Sequence, residues 1–111
     1  MNYNFTDKCL KDLKKLRKIY RSLDEDLKRF CLFLKAIDFN KNKKFCILYT
    51  IWDVYIVKAR LFCEFLRKSS LRIIFSYDCK NMNITHIEIY FKWNKVNEDK
   101  QRIEKFIENL I

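Results

Sequence analysis

The sequence predicts an α+β domain in which an N-terminal helical hairpin packs on a small antiparallel sheet and a C-terminal helix follows the last strand. Apolar residues recur at helical spacing in the first third, alternate with polar residues in the middle, and return to helical spacing at the end. Half of the residues are hydrophobic, which is enough for a packed core. The length of 111 residues fits one domain spanning 1–111.

The helical hairpin is predicted from two apolar stripes with capping residues at their starts. Thr6 can cap a first helix that runs to about Tyr20. Ser22 and Glu25 match a capping box at the start of a second helix that runs to about Ile37. Because the break between the helices is short, we expect them to pack antiparallel.

The middle of the chain alternates between apolar and polar residues, which indicates strands. A polar turn at 38–44 separates this region from the helical hairpin. The last three strands have short connections, so we expect an antiparallel meander. The predicted strands are Asn2–Phe5, Phe45–Ile51, Asp53–Phe65, Leu71–Tyr77 and Ile84–Trp93.

A final helix is predicted after Asn97, which can serve as its cap. Glu98 and Asp99 then lie at the positive end of the helix dipole, where negative charge is favourable. The apolar residues expected to dock this helix on the sheet are Ile103, Phe106, Ile107 and Leu110.

The composition excludes several classes of site. The chain has no Gly, so it has neither a glycine-rich phosphate loop nor a dinucleotide-binding fingerprint. Asn81 is therefore the residue expected to take the left-handed conformation in the hairpin loop 78–83. The five Cys lack C-x-x-C spacing and there is one His, so no zinc ligand set is recognisable, and we expect neither metal nor cofactor.

Several features predict a cytoplasmic protein. We interpret the cysteines as buried small residues in a reducing compartment. The segment 1–7 is polar with no apolar core behind it, which predicts no signal peptide. Apolar runs are far shorter than the roughly 20 residues that span a membrane, so we expect no membrane insertion.

The charge of the chain is strongly positive. Its 24 Lys and Arg outnumber 14 Asp and Glu, which gives a formal net charge of +10. Such a field attracts polyanions, so nucleic acid, an anionic membrane surface and an acidic protein are the candidate partners. A surface charge that only keeps the protein soluble is the alternative.

Much of this charge is predicted to collect on one face of the sheet. The helical hairpin covers the more apolar face, and strand alternation directs a mixed, basic set of side chains to the other. We expect that second face to be uncovered. The residues predicted to meet there are Lys58, Arg60, Arg72, His86, Tyr90 and Lys92.

The order of elements, together with the stretch from Tyr55 to Phe106, resembles the toxins of the RelE/ParE superfamily. The most specific parts are L-R-I-I-F at 71–75 and I-Y-F-K…N-E-D-K-Q-R-I at 89–103. The resemblance implies the toxin of a type II toxin–antitoxin system, neutralised by a co-expressed antitoxin protein. RelE-like members cleave mRNA, often on the ribosome, and so inhibit translation. ParE-like members instead inhibit DNA gyrase without being enzymes, and a catalytically inactive member that only binds its antitoxin or RNA is a third possibility.

The resemblance also implies roles for individual residues. Arg72 matches the arginine that stabilises charge at the scissile phosphate, and Lys58, with Arg60 beside it, matches a lysine of the preceding strand. A later basic residue of the family falls near Lys92 or Lys95. The segment 97–111 contains no Tyr or His, so the family's C-terminal tyrosine has no match here.

Metal-independent cleavage of RNA by its own 2′-hydroxyl needs a base, an acid, and cations around the phosphate. The planar guanidinium of Arg72 can clamp two phosphate oxygens. Lys58 can act as the base if neighbouring cations lower its pKa toward neutrality. Tyr90 and His86 are candidates for proton transfer or for stacking on a base.

Each of these residues also has an ordinary structural explanation. Arg72 can pair with Glu88 across neighbouring strands. The other basic residues can form a solvated strand face, and His86 can be a hydrogen-bonded residue of the sheet. We expect the two tryptophans, Trp52 and Trp93, to pack in the core or its rim rather than to stack on RNA.

Overall fold

The computed structural model describes residues 2–36 and 45–110. In these two ranges the chain forms five strands and three helices. The predicted turn at 38–44 and the end of the second helix at Ile37 lie outside the described residues. In chain order the elements are β1 Asn2–Phe5, α1 Asp7–Arg17, α2 Leu23–Ala36, β2 Phe45–Ile51, β3 Val54–Cys63, β4 Lys68–Asp78, β5 Asn83–Phe91 and α3 Lys100–Leu110.

The strands form one sheet in the order β1-β5-β4-β3-β2. β1 runs parallel to β5, and the other neighbouring strands are antiparallel. The predicted fold class, a helical hairpin on a small antiparallel sheet, was therefore wrong: the sheet is five-stranded and mixed. The parallel pair joins segments about 80 residues apart (Asn2 with Asn83), and local alternation carries no information about such a pairing.

The helices α1 and α2 cover one face of the sheet. Thr6 caps α1 as predicted, because its hydroxyl accepts a hydrogen bond of 3.2 Å from the Cys9 amide. The core beneath the two helices includes Val57, Leu71 and Phe75, each fully buried. The buried residues of this face are mostly apolar.

The start of α2 differs from the predicted capping box. The Ser22 hydroxyl donates to the buried Asp26 carboxylate at 2.8 Å and accepts from the Phe65 amide at 2.8 Å. Asp26 also accepts from the Glu64 amide and pairs with Arg29. Ser22 and Asp26 thus fasten α2 to the turn between β3 and β4, because that turn offers backbone donors that need acceptors.

In the described turns, positive φ angles occur at Trp52 (53°), Arg67 (52°) and Met82 (56°). Asn81 was expected to adopt the left-handed conformation, but it instead forms hydrogen bonds with Asp78. Its side chain donates to the Asp78 carboxylate at 2.8 Å, and its amide donates to the same group at 3.2 Å. The left-handed position falls one residue later, because Asn81 is held in this Asx-type turn.

A β-bulge in β5 determines which side chains reach each face of the sheet. Ile74 of β4 pairs with Glu88, whereas the next residue, Phe75, pairs with His86. Ile87 is therefore an extra residue on β5. The bulge reverses the predicted facing of the residues before it, and it sends His86 to the face covered by α1 and α2.

The second face of the sheet is partly covered by α3. Ile56, Ile74, Ile87 and Tyr90 form a second buried cluster with Ile103 of α3. Phe106 and Ile107 pack against this cluster as predicted, whereas Leu110 is 37% exposed. The expectation that this face is uncovered was wrong, since α3 packs on it, while Arg60 stays exposed and Arg72 half-buried at one end.

Among the described helices, none is both long enough and apolar enough to span a bilayer.

Candidate functional site

The predicted basic residues of the central strands meet beside the part of the sheet that α3 covers. Arg60, Arg72 and Tyr90 are direct partners on β3, β4 and β5, and we call these three residues the arginine row. Two residues further along these strands, Ile74 of β4 pairs with Lys58 of β3 on one side and with Glu88 of β5 on the other. Strand alternation and register alone therefore bring Lys58, Arg60 and Arg72 together, as the sequence predicted.

Arg72 is half-buried, and the hydrogen bonds of its guanidinium to described residues stay within its own strand. Nη1 donates to the carbonyl oxygens of Ser69 at 2.8 Å and Leu71 at 3.1 Å. Burial and the neighbouring positive charge of Arg60 lower the pKa of Arg72. Among residues 2–36 and 45–110, neither Arg60 nor Arg72 forms an ion pair with a carboxylate. The two guanidinium groups repel one another, so an anion between them would be favourable.

Lys58 lies in a different environment from the arginines. Its Nζ donates to Glu98 Oε1 at 3.1 Å, with the two side chains 23% and 11% exposed. Burial alone would lower the pKa of Lys58, but Glu98 and the Tyr90 hydroxyl raise it above the ordinary value. The expectation that cations lower this pKa toward neutrality was therefore wrong. At neutral pH Lys58 is protonated and cannot accept a proton.

Glu88 holds Lys95 and the chain that follows it. The carboxylate of Glu88 is almost fully buried, accepts from Lys95 Nζ, and accepts from the Asp99 amide at 2.8 Å. Glu88 thus pairs with Lys95. The alternative interpretation of Arg72, a cross-strand pair with Glu88, was therefore wrong. Lys95 also lies over the Tyr90 ring, 5.5 Å from its centroid.

Acidic residues of this site were missed in the sequence. Glu98 and Asp99 were predicted only as charges at the start of a helix, yet Glu98 pairs with Lys58 and the Asp99 amide bonds to Glu88. Burial would raise the pKa of Glu98, but Lys58 lowers it, so Glu98 is ionised at neutral pH. The sequence did contain a signal for this pairing, because Glu98 and Asp99 follow soon after the basic strands. Buried cations need carboxylate partners, so two adjacent carboxylates there indicate an ion pair.

Tyr90 contributes a hydroxyl next to the arginine row. The residue is only 6% exposed, and its hydroxyl makes no hydrogen bond within the described part of the chain. The oxygen is nevertheless near enough to Lys58 to raise the lysine pKa. The hydroxyl is itself buried, so it lies in the interior of the site next to Lys58 and not on the open surface beside the arginines.

His86 is separated from the site by the sheet itself. It is fully buried, with ring centroids 4.7 Å from Phe5 and 6.2 Å from Phe75, and its Nε2 lies 3.8 Å from Cys31 Sγ. Burial lowers the pKa of His86 to about 4. The expectation that His86 shares a face with Tyr90 was wrong, because the bulge at Ile87 turns it to the other side.

The fold and the site can be compared with known proteins. No family model matches the sequence, and no curated protein matches it. A solved structure, the archaeal RelE–RelB complex from Pyrococcus horikoshii OT3, is similar over 82% of this chain and 93% of that chain, with a TM-score of 0.59 and 18% identity. This chain has a RelE-like fold. The resemblance predicted from the sequence is thereby confirmed at the level of the fold.

Within this RelE-like fold the site brings cationic groups together at one end of the sheet. Arg60 and Arg72 carry guanidinium groups, and Lys58 adds a positive charge that Glu98 partly neutralises. Planar guanidinium groups match the geometry of phosphate oxygens. Two neighbouring guanidinium groups therefore favour an anionic ligand over a neutral one.

Proposed function

We propose that this chain is a single-domain toxin of a type II toxin–antitoxin pair and that its target in the cytoplasm is RNA. The RelE-like fold supports the class of protein. The observation that carries the choice of RNA is the placement of Arg60 beside Arg72, on neighbouring strands and without a carboxylate partner in the described ranges. Phosphodiester groups suit two such cations better than a neutral ligand does.

The reaction that this site suits is endoribonucleolytic cleavage of mRNA, which inhibits translation, with the ribosome presenting the substrate. The 2′-oxygen loses its proton and attacks phosphorus, and the 5′-oxygen leaves with a proton. Arg60 and Arg72 would stabilise the charge on the phosphate oxygens. Lys58 would add positive charge, while Glu98 is the ionised group beside it that can accept the 2′ proton. Tyr90 would donate to the leaving oxygen once substrate binding opens access to its buried hydroxyl.

Two further lysines would contribute to binding rather than to the reaction. Lys92 and Lys95 follow β5 at the edge of the site, and Lys95 is 40% exposed despite its bond to Glu88. Each would add attraction for the RNA backbone, which weakens as salt is raised. His86 has no part in this proposal, because it is buried on the other face.

A toxin that binds its target without cutting it is the second candidate, and one observation favours it. Lys58 keeps its proton, and Glu98 has a lowered pKa, which makes it a weak base. Efficient proton transfer favours a group with a pKa near the working pH. A non-enzymatic toxin acting on DNA gyrase, or an inactive member that binds RNA or antitoxin, would need no such group.

The expected protein partner is an acidic antitoxin segment. The net charge of +10 and the two arginines, which lack a carboxylate partner among the described residues, favour a chain rich in Asp and Glu that covers the arginine row. Such a segment would compete with RNA for the same residues. Neutralisation and substrate binding would then be mutually exclusive.

A translation assay with mapped mRNA ends tests the proposed function. We expect the wild-type protein to create new 5′ ends within translated codons, detected by primer extension. Arg72→Ala should abolish these ends while the thermal unfolding midpoint stays near the wild-type value, because Arg72 is half-exposed. Arg72→Lys should recover only part of the activity, since an ammonium cannot clamp two oxygens.

The matched control is Lys80→Ala, which removes one positive charge from the exposed loop at the opposite end of the sheet. It should cleave like the wild type. Cleavage by a folded Arg72→Ala protein would refute the site. Intact mRNA together with inhibited DNA supercoiling would replace the proposed function with the second candidate.

A further inference from the structure

The two tryptophans of the chain are both exposed, and they lie at opposite ends of the sheet. Trp52 is 73% exposed in the turn between β2 and β3, and Trp93 is 72% exposed directly after β5. The expectation that they pack in the core or its rim was therefore wrong. Single exposed apolar side chains are common, so exposure alone assigns a role to neither residue.

The surroundings of Trp93 distinguish it from Trp52. Trp93 follows Tyr90 of the arginine row by three residues, whereas Trp52 lies next to the other ends of the central strands. The Lys92 ammonium is 4.6 Å from the Trp93 ring centroid, and the Lys95 ammonium is 5.5 Å from that of Tyr90. Aromatic rings and positive charges therefore alternate at this end of the sheet.

We propose that Trp93 stacks on an unpaired base of the RNA whose phosphate binds Arg60 and Arg72. This proposal rests on the proposed function and names the substrate as single-stranded RNA. Lys92 lies over one face of the indole ring, so the opposite face is the one that a base would take. Stacking requires a base that is out of a duplex, and it accepts any base because every base has an aromatic face.

The alternation of rings and cations fits a nucleotide better than a bare polyanion. A polyanion that only needs charge would be bound equally well by lysines without exposed rings. A nucleotide offers a phosphate and a flat base within one repeating unit. Arg60 and Arg72 match the first, and Trp93 matches the second.

Single-tryptophan variants test the stacking directly, because the chain has two Trp. Trp52→Phe leaves Trp93 as the emitter, and Trp93→Phe leaves Trp52. We expect the emission of Trp93 to fall when a short single-stranded RNA binds, and that of Trp52 to stay constant. An abasic oligomer with the same phosphates should leave both unchanged. If Trp52→Phe fails to fold, the difference between the wild type and Trp93→Phe gives the same comparison.

Binding affinity provides a second measurement, made by anisotropy of a labelled RNA. Trp93→Ala should raise the Kd for RNA by about tenfold, which is typical for the loss of one stacked base. Trp52→Ala is the matched control and should leave the Kd unchanged. The abasic oligomer should bind the wild type and Trp93→Ala equally.

The outcomes separate this proposal from the one on which it rests. RNA binding with constant Trp93 emission, or with the same Kd for Trp93→Ala, overturns the stacking and leaves the RNA-binding function intact. The same loss for the abasic oligomer shows a purely electrostatic role and also overturns it. Absence of RNA binding by the folded wild type contradicts both proposals.

Discussion

The two faces of the sheet are built from the same strands but differ in what they bury. Under α1 and α2, residues such as Leu71 and Phe75 are fully buried, and Tyr55 and Tyr77 at the far end of the strands are partly buried. On the α3 side, Ile56 and Ile74 are equally buried, yet Arg72 is only half-buried and Arg60 is exposed. Two helices cover the first face, while the 11 residues of α3 cover part of the second. The proposed RNA-binding surface thus lies on the part of the second face that α3 does not cover.

The largest expected difference between the faces is in stability. Phe75→Ala should lower the free energy of unfolding by about 3–5 kcal/mol, because it opens a cavity among Phe30, Phe45 and His86. Arg72→Ala should cost less than about 1 kcal/mol, since only hydrogen bonds within its own strand are lost. Urea denaturation of both variants measures this. Equal losses would show that the second face is as tightly packed as the first.

The next largest effect is the pH dependence caused by His86 on the apolar face. Burial lowers its pKa from 6.5 to about 4, so the unfolded state binds a proton between these values and the folded state does not. Stability should therefore fall as the pH drops from 6.5 to 4, by roughly 3 kcal/mol. Urea midpoints across this range measure the slope. His86→Leu should flatten the slope, and an unchanged slope would assign it to other groups.

A smaller effect is expected where the two faces meet at the edge of β5. β1 pairs with β5 only as far as His86, and the next residues of β5 bond to helices instead. Arg102 of α3 donates to the Ile87 carbonyl at 3.1 Å and pairs with Asp12 of α1. Asp12 also accepts a hydrogen bond of 3.3 Å from the Ile89 amide. Asp12→Asn should cost roughly 2 kcal/mol, because a partly buried charge loses its partner. Thermal or urea unfolding measures it.

Its control is Asp24→Asn, which breaks the pair with Arg17 in which both side chains are 50% exposed. That change should cost under about 1 kcal/mol. If the two variants lose equal stability, the pair between α1 and α3 does not help to hold the two faces together.

The smallest expected effect concerns the proton of Lys58. Burial lowers the pKa of Lys58 and Glu98 raises it, so Glu98→Gln should bring the pKa below its wild-type value. The change in stability should be small because both side chains retain some exposure. The pH dependence of lysine reactivity, read by mass spectrometry, measures it. Glu104→Gln on the exposed side of α3 is the control, and a pKa unchanged in Glu98→Gln would remove Glu98 as its cause.

Local features of the sequence predicted most of the secondary structure and the core of the site. The Thr6 cap, the docking residues Ile103 and Phe106, and the meeting of Arg60 with Arg72 all follow from spacing or alternation. Alternation was sufficient for the arginines because they lie on strands joined by a short turn. No local pattern of this kind predicts the order of the strands or the pairing of Lys58 with Glu98.

Errors in the prediction arose where residues distant in sequence meet. The parallel pairing of β1 with β5 and the bond between Lys58 and Glu98 join segments about 80 and 40 residues apart. The bulge at Ile87 shifted His86 to the other face without any Gly to mark it. A shift of one residue in a strand exchanges its two faces, so one unmarked bulge was enough.

The sequence by itself determined which segments become helices and strands, the strong positive charge, and the placement of Arg60 and Arg72 on one face. These depend on periods of two or 3.6 residues and on composition, which a chain carries locally. Only the tertiary structure decided which of the described cations pair with carboxylates, which tryptophan lies at the same end of the sheet as the arginine row and how far α3 covers the sheet. Those properties depend on distances between segments, which are set when the hydrophobic faces of all elements pack together.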